Sequence, residues 1–427
     1  MLGTVMFGGM LALMLLGVPI LFAIGIASAL GILTIGASAP WIIIPASMFN
    51  GMNSFPLMAI PFFVLAGELM NRGGISRRLV SFAVALVGHV QGGLGHANVV
   101  ANAMLAAVSG SALANIAAVG RVMIPEMEKK GYEREFATGI TISSSLLGPI
   151  IPPSITMVVY AVTAGASIGG LFLAGVLPGI LMALLLMAVI YIRARKMNYP
   201  VNDSFTVRGV VDTGREAIIA LLMPVIILGG IFGGIMTPTE AAAVAVAYAL
   251  IVGLFVFREL KLKDVGDILA NTGILTGFIM LIVGAARVFS DLLAQEAVPQ
   301  AIAAVVLSIT SNEILMLLLI NLLLLVVGCL MDTTAAIIIL VPILLPIATE
   351  LGIDPLLFGV MMCINLVIGL ATPPVGIALY LGADVANLKV EKVIRATLPF
   401  LIVQIGVLLL VTFVPAISLT LPRLMGY

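Results

Sequence analysis

No Lys, Arg, Asp or Glu precedes Glu68, and none occurs from Phe136 to Ile192. One spanning helix needs about 20 apolar residues. Each stretch is therefore long enough to cross a bilayer, and several spanning helices are predicted. The whole chain agrees: 62% of its 427 residues are hydrophobic and 9% are charged, against about 25% charged in an ordinary soluble domain. A membrane barrel would alternate apolar and polar residues in short strands. Here Leu, Ile, Val, Ala, Met and Gly run together for twenty residues or more, so the predicted class is all-α and polytopic.

Charge excludes further classes. Twenty basic and twenty acidic residues cancel, so no net field points to nucleic acid or to an acidic partner. Cys329 and Cys363 lie in apolar runs outside any CxxC or zinc-ligand spacing and read as buried thiols. His89 and His96 flank VQGGLG without the carboxylate of an HExxH pattern, which leaves metal chemistry unsupported. The N-terminus lacks a basic n-region and a small-residue cleavage site and is expected to remain as the first span.

Basic residues fall in five clusters: Arg72, Arg77 and Arg78; Lys129, Lys130 and Arg134; Arg193, Arg195 and Lys196 with Arg208 and Arg215; Arg258, Lys261 and Lys263; Lys389, Lys392 and Arg395. The positive-inside rule makes each a candidate cytoplasmic loop. The polar segment from Arg193 to Glu216 divides the chain near its midpoint and reads as a linker.

Prolines recur across that linker. Pro19 pairs with Pro238, Pro125 with Pro342, Pro152–Pro153 with Pro373–Pro374, and Pro178 with Pro399, at offsets of 219, 217, 221 and 221. Asn115 stands as far before Pro125 as Asp332 stands before Pro342. An internal duplication follows, with a first repeat over 1–200, a linker over 201–216 and a second repeat over 217–427. Repeats of this kind place transporter sites at their interface.

In each half a polar, Gly-containing segment precedes a Pro-Pro pair. SGSALAN (Ser109 to Asn115) is followed by LLGPIIPPS (Leu146 to Ser154), and GCLMDTT (Gly328 to Thr334) by GLATPPVG (Gly369 to Gly376). Proline removes a backbone donor and clashes with the preceding turn, so the helices should unwind there and free carbonyl oxygens. Such backbone is tolerated at membrane depth only in protein or beside a wet cavity. The oxygens suit sodium, and a half-helix N-terminus suits an anionic carboxylate. The alternative is that the prolines merely kink helices and the glycines permit close packing.

The first candidate sodium set is Ser109, Gly110, Ser111, Asn115, Gly148 and Pro149; the second is Gly328, Asp332, Thr333, Thr334, Gly369 and Thr372. Candidate substrate contacts are Asn115, Ser154, Ser167, Arg287 and Asp332. Asp332 has no basic residue within forty positions, so an ion, a functional partner or protonation must stabilise it. Asn115 could instead make an interhelical hydrogen bond. Arg287 could clamp a carboxylate or snorkel beside Asp291. No nucleophile with a facing base, and no pair of facing aspartates, supports a membrane enzyme. A channel needs no repeat with two broken-helix sites.

These residues resemble the large, DctM-like membrane subunit of the tripartite ATP-independent periplasmic (TRAP) transporters. The likeness rests on FPLMAIPFFVLAGELMNRGGISRRLV from Phe55, GGLGHANV from Gly92, SGSALANIAAVG from Ser109, GPIIPPS from Gly148, LFLAGVLPG from Leu171, MTPTEAAAVAVAYAL from Met236, MDTTAAIIILVPILLPIATELGIDPLLFGV from Met331 and GLATPPVG from Gly369. It covers essentially the whole chain. It implies two inverted-topology repeats with re-entrant hairpins and broken helices, of the ion-transporter superfamily type, with a scaffold and a mobile transport domain moving as an elevator. It further implies a multi-pass protein of the bacterial inner membrane that takes up an organic acid, sialic acid or a C4-dicarboxylate, with sodium as coupling ion and no other cofactor. The implied partners are a small four-helix membrane subunit and a periplasmic substrate-binding protein. The family often carries Asp where this chain has Asn115, and two serines where it has Ser111 and Ala112, which leaves the first sodium ligands open.

Overall fold

A computed structural model describes residues 2–35, 41–199, 205–295 and 312–427, and these residues are helical throughout apart from their connections. The described residues form nineteen α-helices: α1 (Leu2–Leu15), α2 (Ile20–Ile35), α3 (Ile43–Met52), α4 (Ala59–Arg72), α5 (Ile75–Val87), α6 (Gly93–Ser109), α7 (Ala112–Lys129), α8 (Arg134–Ser145), α9 (Ile155–Ala164), α10 (Ile168–Met197), α11 (Val207–Phe232), α12 (Pro238–Ile251), α13 (Leu262–Gln295), α14 (Glu313–Leu330), α15 (Thr333–Glu350), α16 (Pro355–Gly369), α17 (Ile377–Ala386), α18 (Val390–Phe413) and α19 (Ala416–Leu424). Among the described residues seven helices are long and apolar enough to span a bilayer, or eight if the α3–α4 pair, bent by 62°, counts as one.

The element boundaries repeat. Helices α6 to α9 start at Gly93, Ala112, Arg134 and Ile155, and α14 to α17 start at Glu313, Thr333, Pro355 and Ile377, at a nearly constant offset. The starts of α10 and α18, Ile168 and Val390, keep the same offset. The bent α3–α4 pair, from Ile43 to Arg72, has its counterpart at that spacing in α13, which runs unbroken for 34 residues. At 1.5 Å per residue α13 is about 51 Å long, well beyond a hydrocarbon core of about 30 Å.

The boundaries also revise the proline register. Pro125 corresponds to Pro346, inside α15, rather than to Pro342, and Asp332 corresponds to Ser111 rather than to Asn115. Ser111 and Asp332 are both the N-cap of the second hairpin arm, each accepting hydrogen bonds from the first-turn amides. The α15 sequence offers two prolines one helical turn apart, and spacing alone does not choose between them. Most of the polar midpoint segment is helical: Arg193 to Met197 complete α10, and Val207 to Glu216 open α11.

Two ends of the molecule are defined by contacts. At one, Arg193 faces Glu133 at 3.9 Å, Lys392 pairs with Glu135 at 2.8 Å, and Arg134 pairs with Glu128 and donates to the Ala386 carbonyl at 2.7 Å. The hydrogen bond from Lys392 holds the Glu135 carboxyl below its usual range. This end gathers the open arms of α6 and α7 with the C-terminus of α10. At the other, Tyr160 donates to the Pro355 carbonyl at 2.8 Å, and Gly170, near the start of α10, lies against Leu356 and Tyr427. There α15 ends and α16 begins. Thus the α6–α7 and α14–α15 hairpins open toward opposite ends of α10.

Three of the five basic clusters meet at the first end, which the positive-inside rule assigns to the cytoplasm. Both native cysteines are buried and give little background. In right-side-out vesicles, Glu350→Cys should react with a membrane-impermeant maleimide, and Lys130→Cys only after lysis. The reverse pattern would invert the orientation.

Candidate substrate and cation site

The first broken segment is short. Ser109 ends α6, Gly110 is left-handed at φ 59°, and Ser111 is extended and caps α7 by accepting from Ala114 N at 3.4 Å. The Ser109 hydroxyl donates to Asn115 Oδ1 at 2.6 Å, and Asn115 is fully buried. The α8–α9 break lies directly on this tip. A Cβ added at Gly148 would stand 2.9 Å from the Ser111 carbonyl oxygen and 3.1 Å from Asn115 Nδ2, and one at Gly110 3.0 Å from the Pro153 carbonyl. Ser154 caps α9 and donates to the Pro149 carbonyl at 2.6 Å. Ser109, Gly110, Ser111, Asn115, Gly148, Pro149 and Ser154 are therefore one constellation.

The second broken segment closes more tightly. A Cβ on Gly369 would lie 2.4 Å from the carbonyl carbon of Gly328, so the two backbones touch. Gly376 N donates to the Cys329 carbonyl at 3.2 Å and Ala378 N to the Leu370 carbonyl at 2.9 Å, while Thr372 Oγ1 bonds back to Ile368 at 2.9 Å. Asp332 differs from expectation: it is exposed, and its Oδ2 accepts from Thr334 N at 2.9 Å and Ala335 N at 3.4 Å. Its apolar sequence neighbours lie in helices that end at Leu330 and start at Thr333, so as an N-cap its carboxylate stands at a helix end outside their packing. At this tip a buried oxygen without a hydrogen-bond partner among the described residues is instead Thr333 Oγ1; Asn365 Oδ1, on α16, is another. Buried polar atoms are nearly always satisfied, and this hydroxyl, with the carbonyls of the tip, fits a hard, oxygen-seeking cation. No His, Cys, Asp or Glu cluster able to hold a transition metal occurs among the described residues.

Two expected substrate contacts, Ser167 and Arg287, have other partners. Ser167 caps α10 beyond the far end of α9, and the length of α9 separates it from Ser154 by about 15 Å. Arg287 pairs with Asp291 one turn along α13 at 3.0 Å and is 60% exposed. A hydroxyl in a Gly-Ala-rich turn and a single arginine in an apolar helix carry no directional signal, so sequence alone does not say what they face.

Sequence reasoning also missed a buried ladder. Asn98 donates to Thr141 at 2.8 Å; Asn102 donates to Asn98 Oδ1 and Ser144, both at 2.8 Å; Ser145 donates to Asn102 Oδ1 at 3.0 Å; and Asn115 Nδ2 reaches the Asn102 carbonyl at 3.5 Å. In the second half Asn365 donates to Asn321 Oδ1 at 2.8 Å, and Asn321 to Thr412 at 3.3 Å. Polar residues four apart on α6, and three to four apart on α8, were the available signal. The ladder fixes the first tip from behind. Across the tip from α4, a Cβ at Gly67 would lie 3.4 Å from Ser109 Cα.

Paired broken helices, opening to opposite ends and lined by oxygen atoms, define a secondary-transporter fold. Residues 7–417 match the family model described as the DctM component of the tripartite ATP-independent periplasmic transporter, and the chain belongs to that family. It is 39% identical to the C4-dicarboxylate TRAP transporter large permease protein DctM of Rhodobacter capsulatus over 100% of both chains. It is 42% identical to the sialic acid TRAP transporter large permease protein SiaM of Vibrio cholerae over 98% of both. The YdaH transporter of Alcanivorax borkumensis shares the fold at a TM-score of 0.60 and 14% identity, over 86% of each chain. The protein is thus a multi-pass inner-membrane permease, and its relatives are transporters rather than enzymes.

Replacing Asn102 by Leu removes its buried bonds to Asn98, Ser144 and Ser145, at a cost of about 0.5–1.5 kcal/mol for each hydrogen bond lost. Gly369→Ala forces the Gly328 contact apart, at a similar cost of about 1–3 kcal/mol for overpacking. Both variants should melt several degrees lower in detergent, and an unchanged melting temperature for either would contradict the packing described.

Proposed function

We propose that this chain carries an organic acid, of the sialic acid or C4-dicarboxylate class, into the cell by sodium symport. The observation that supports it best is the convergence, in each half, of a hairpin tip on a second broken helix, where hydroxyl and carbonyl oxygens collect without a chain of titratable groups for protons. The opposed hairpins support two inverted repeats and an elevator-type movement of the segments they belong to. The acid is delivered by a periplasmic substrate-binding protein, and a small four-helix membrane subunit completes the transporter.

Asp332 serves the second sodium site with Gly328, Thr333, Thr334, Gly369 and Thr372. As an N-cap, Asn would replace it almost without loss, so Asp332→Asn isolates the charge. In proteoliposomes with both partners, this variant should keep its melting temperature while the sodium concentration for half-maximal uptake rises by about tenfold, the equivalent of about 1.4 kcal/mol. An unchanged sodium curve in the folded variant removes Asp332 from coupling. Wild-type uptake driven equally by a proton gradient without sodium would overturn the symport reading.

The partner requirement is tested separately. The chain reconstituted alone, with sodium present, should show little uptake, and addition of both partners should restore it. Vigorous transport by the chain alone would refute delivery by a binding protein.

A further inference from the structure

A cavity of about 520 Å³ lies at the end of the molecule opposite the basic clusters, between α14, α16, α18 and α19. Leu317, Leu357 and Met361 form apolar wall, while Glu313, Asp354 and Arg423 also line it. Neither Glu313 nor Arg423 has an ion-pair partner among the described residues, and both are exposed. On α14 the cavity adjoins a face of exposed leucines, Leu315, Leu318, Leu319 and Leu322, of the kind that meets acyl chains. The volume lies within the range of small-molecule sites.

Charge selects the occupant. Two carboxylates outnumber one guanidinium, though Asp354 Oδ1 already accepts from Leu356 N at 2.8 Å as the cap of α16 and leaves Oδ2 for the cavity; a simple anion still meets net repulsion, and a simple cation gains nothing from the apolar wall. A molecule with adjacent opposite charges and an apolar tail satisfies all three elements. We infer that this cavity binds a zwitterionic phospholipid with a primary ammonium headgroup from the outer leaflet, its phosphate on Arg423, its ammonium on Glu313 and Asp354, and an acyl chain along Leu317, Leu357 and Met361. An ammonium donates hydrogen bonds to carboxylates and a trimethylated choline does not, so the headgroup is discriminated as well as the tail.

The site adjoins the transport machinery through one helix. Asp354, Leu357, Met361, Asn365 and Gly369 follow one another at three- or four-residue spacing along α16, which runs from the cavity to the second broken segment. Met361 and Thr412 line the cavity and also accept hydrogen bonds from Asn321, which is bonded in turn to Asn365.

The test uses the full chain, delipidated in mild detergent and mixed with equal amounts of palmitoyl-oleoyl phosphatidylethanolamine, phosphatidylcholine and phosphatidylglycerol. Retained lipid is counted by native mass spectrometry. Phosphatidylethanolamine should be retained at one per chain, over the other two by at least about fivefold, as expected for loss of a charge-assisted contact. Arg423→Glu and Glu313→Lys should each abolish that preference, Arg423→Lys should keep it, and Leu424→Ala, outside the cavity, should not alter it. Leu318→Trp, which narrows the cavity without touching its charges, should reduce retention of all three lipids. Equal or greater retention of phosphatidylglycerol or phosphatidylcholine, absence of any retained lipid, or unchanged selectivity in both charge reversals would overturn the assignment.

Discussion

A peptide carbonyl released from a helix inside a bilayer has no water to accept from, so each break must be matched by another piece of the protein or by an ion. The packing of one broken segment on another meets that demand in both halves. Gly110 and Gly148 bring the first tip onto the α8–α9 break, and Gly328 and Gly369 bring the second onto the α16–α17 break. Side chains at these positions would separate the backbones by more than a hydrogen-bond length. The glycines thus do more than bend the chain: they allow two sets of main-chain dipoles to face one small volume.

The two halves stabilise their tips differently. The first is braced by amide and hydroxyl side chains of α6, α7 and α8, all fully buried and mutually bonded from Asn98 to Asn115. The second has a shorter polar group, Asn321, Asn365 and Thr412, and a carboxylate at the helix end where the first has a hydroxyl. A tip capped by a hydroxyl and one capped by a carboxylate present unequal fields. The halves share a backbone plan, and substitution on that plan separates their roles.

The backbone plan was legible in the sequence because it depends on residues with strong local effects. Pro-Pro pairs and the glycines beside them mark where helices stop, whereas single prolines such as Pro342 and Pro346 lie inside them, and clusters of Arg and Lys mark the ends that stay in water. Those signals place both broken segments within a few residues of where they occur. What lay beyond them were relations among ordinary side chains. The pairing of Asn102 with Ser144 and Ser145 joins distant parts of the chain, and no single position announces it. Asp332 illustrates a different gap: hydrophobic neighbours suggested burial, yet helix capping turns the carboxylate outward. Ser167 and Arg287 are chemically suitable for a carboxylate, and suitability does not foretell the partners they have, the α10 amides and Asp291.

The contact between α4 and the first tip has a mechanical consequence. Gly67 meets Ser109 backbone to backbone, so that meeting point carries no interlocking knob and hole. Surfaces that interdigitate must climb over one another to slip, which gives a rugged profile with many shallow traps. A crossing at a glycine has one knob fewer to climb over. Were the α6–α7 hairpin and α4 to move past one another, resistance would come from the surrounding contacts and little of it from this crossing.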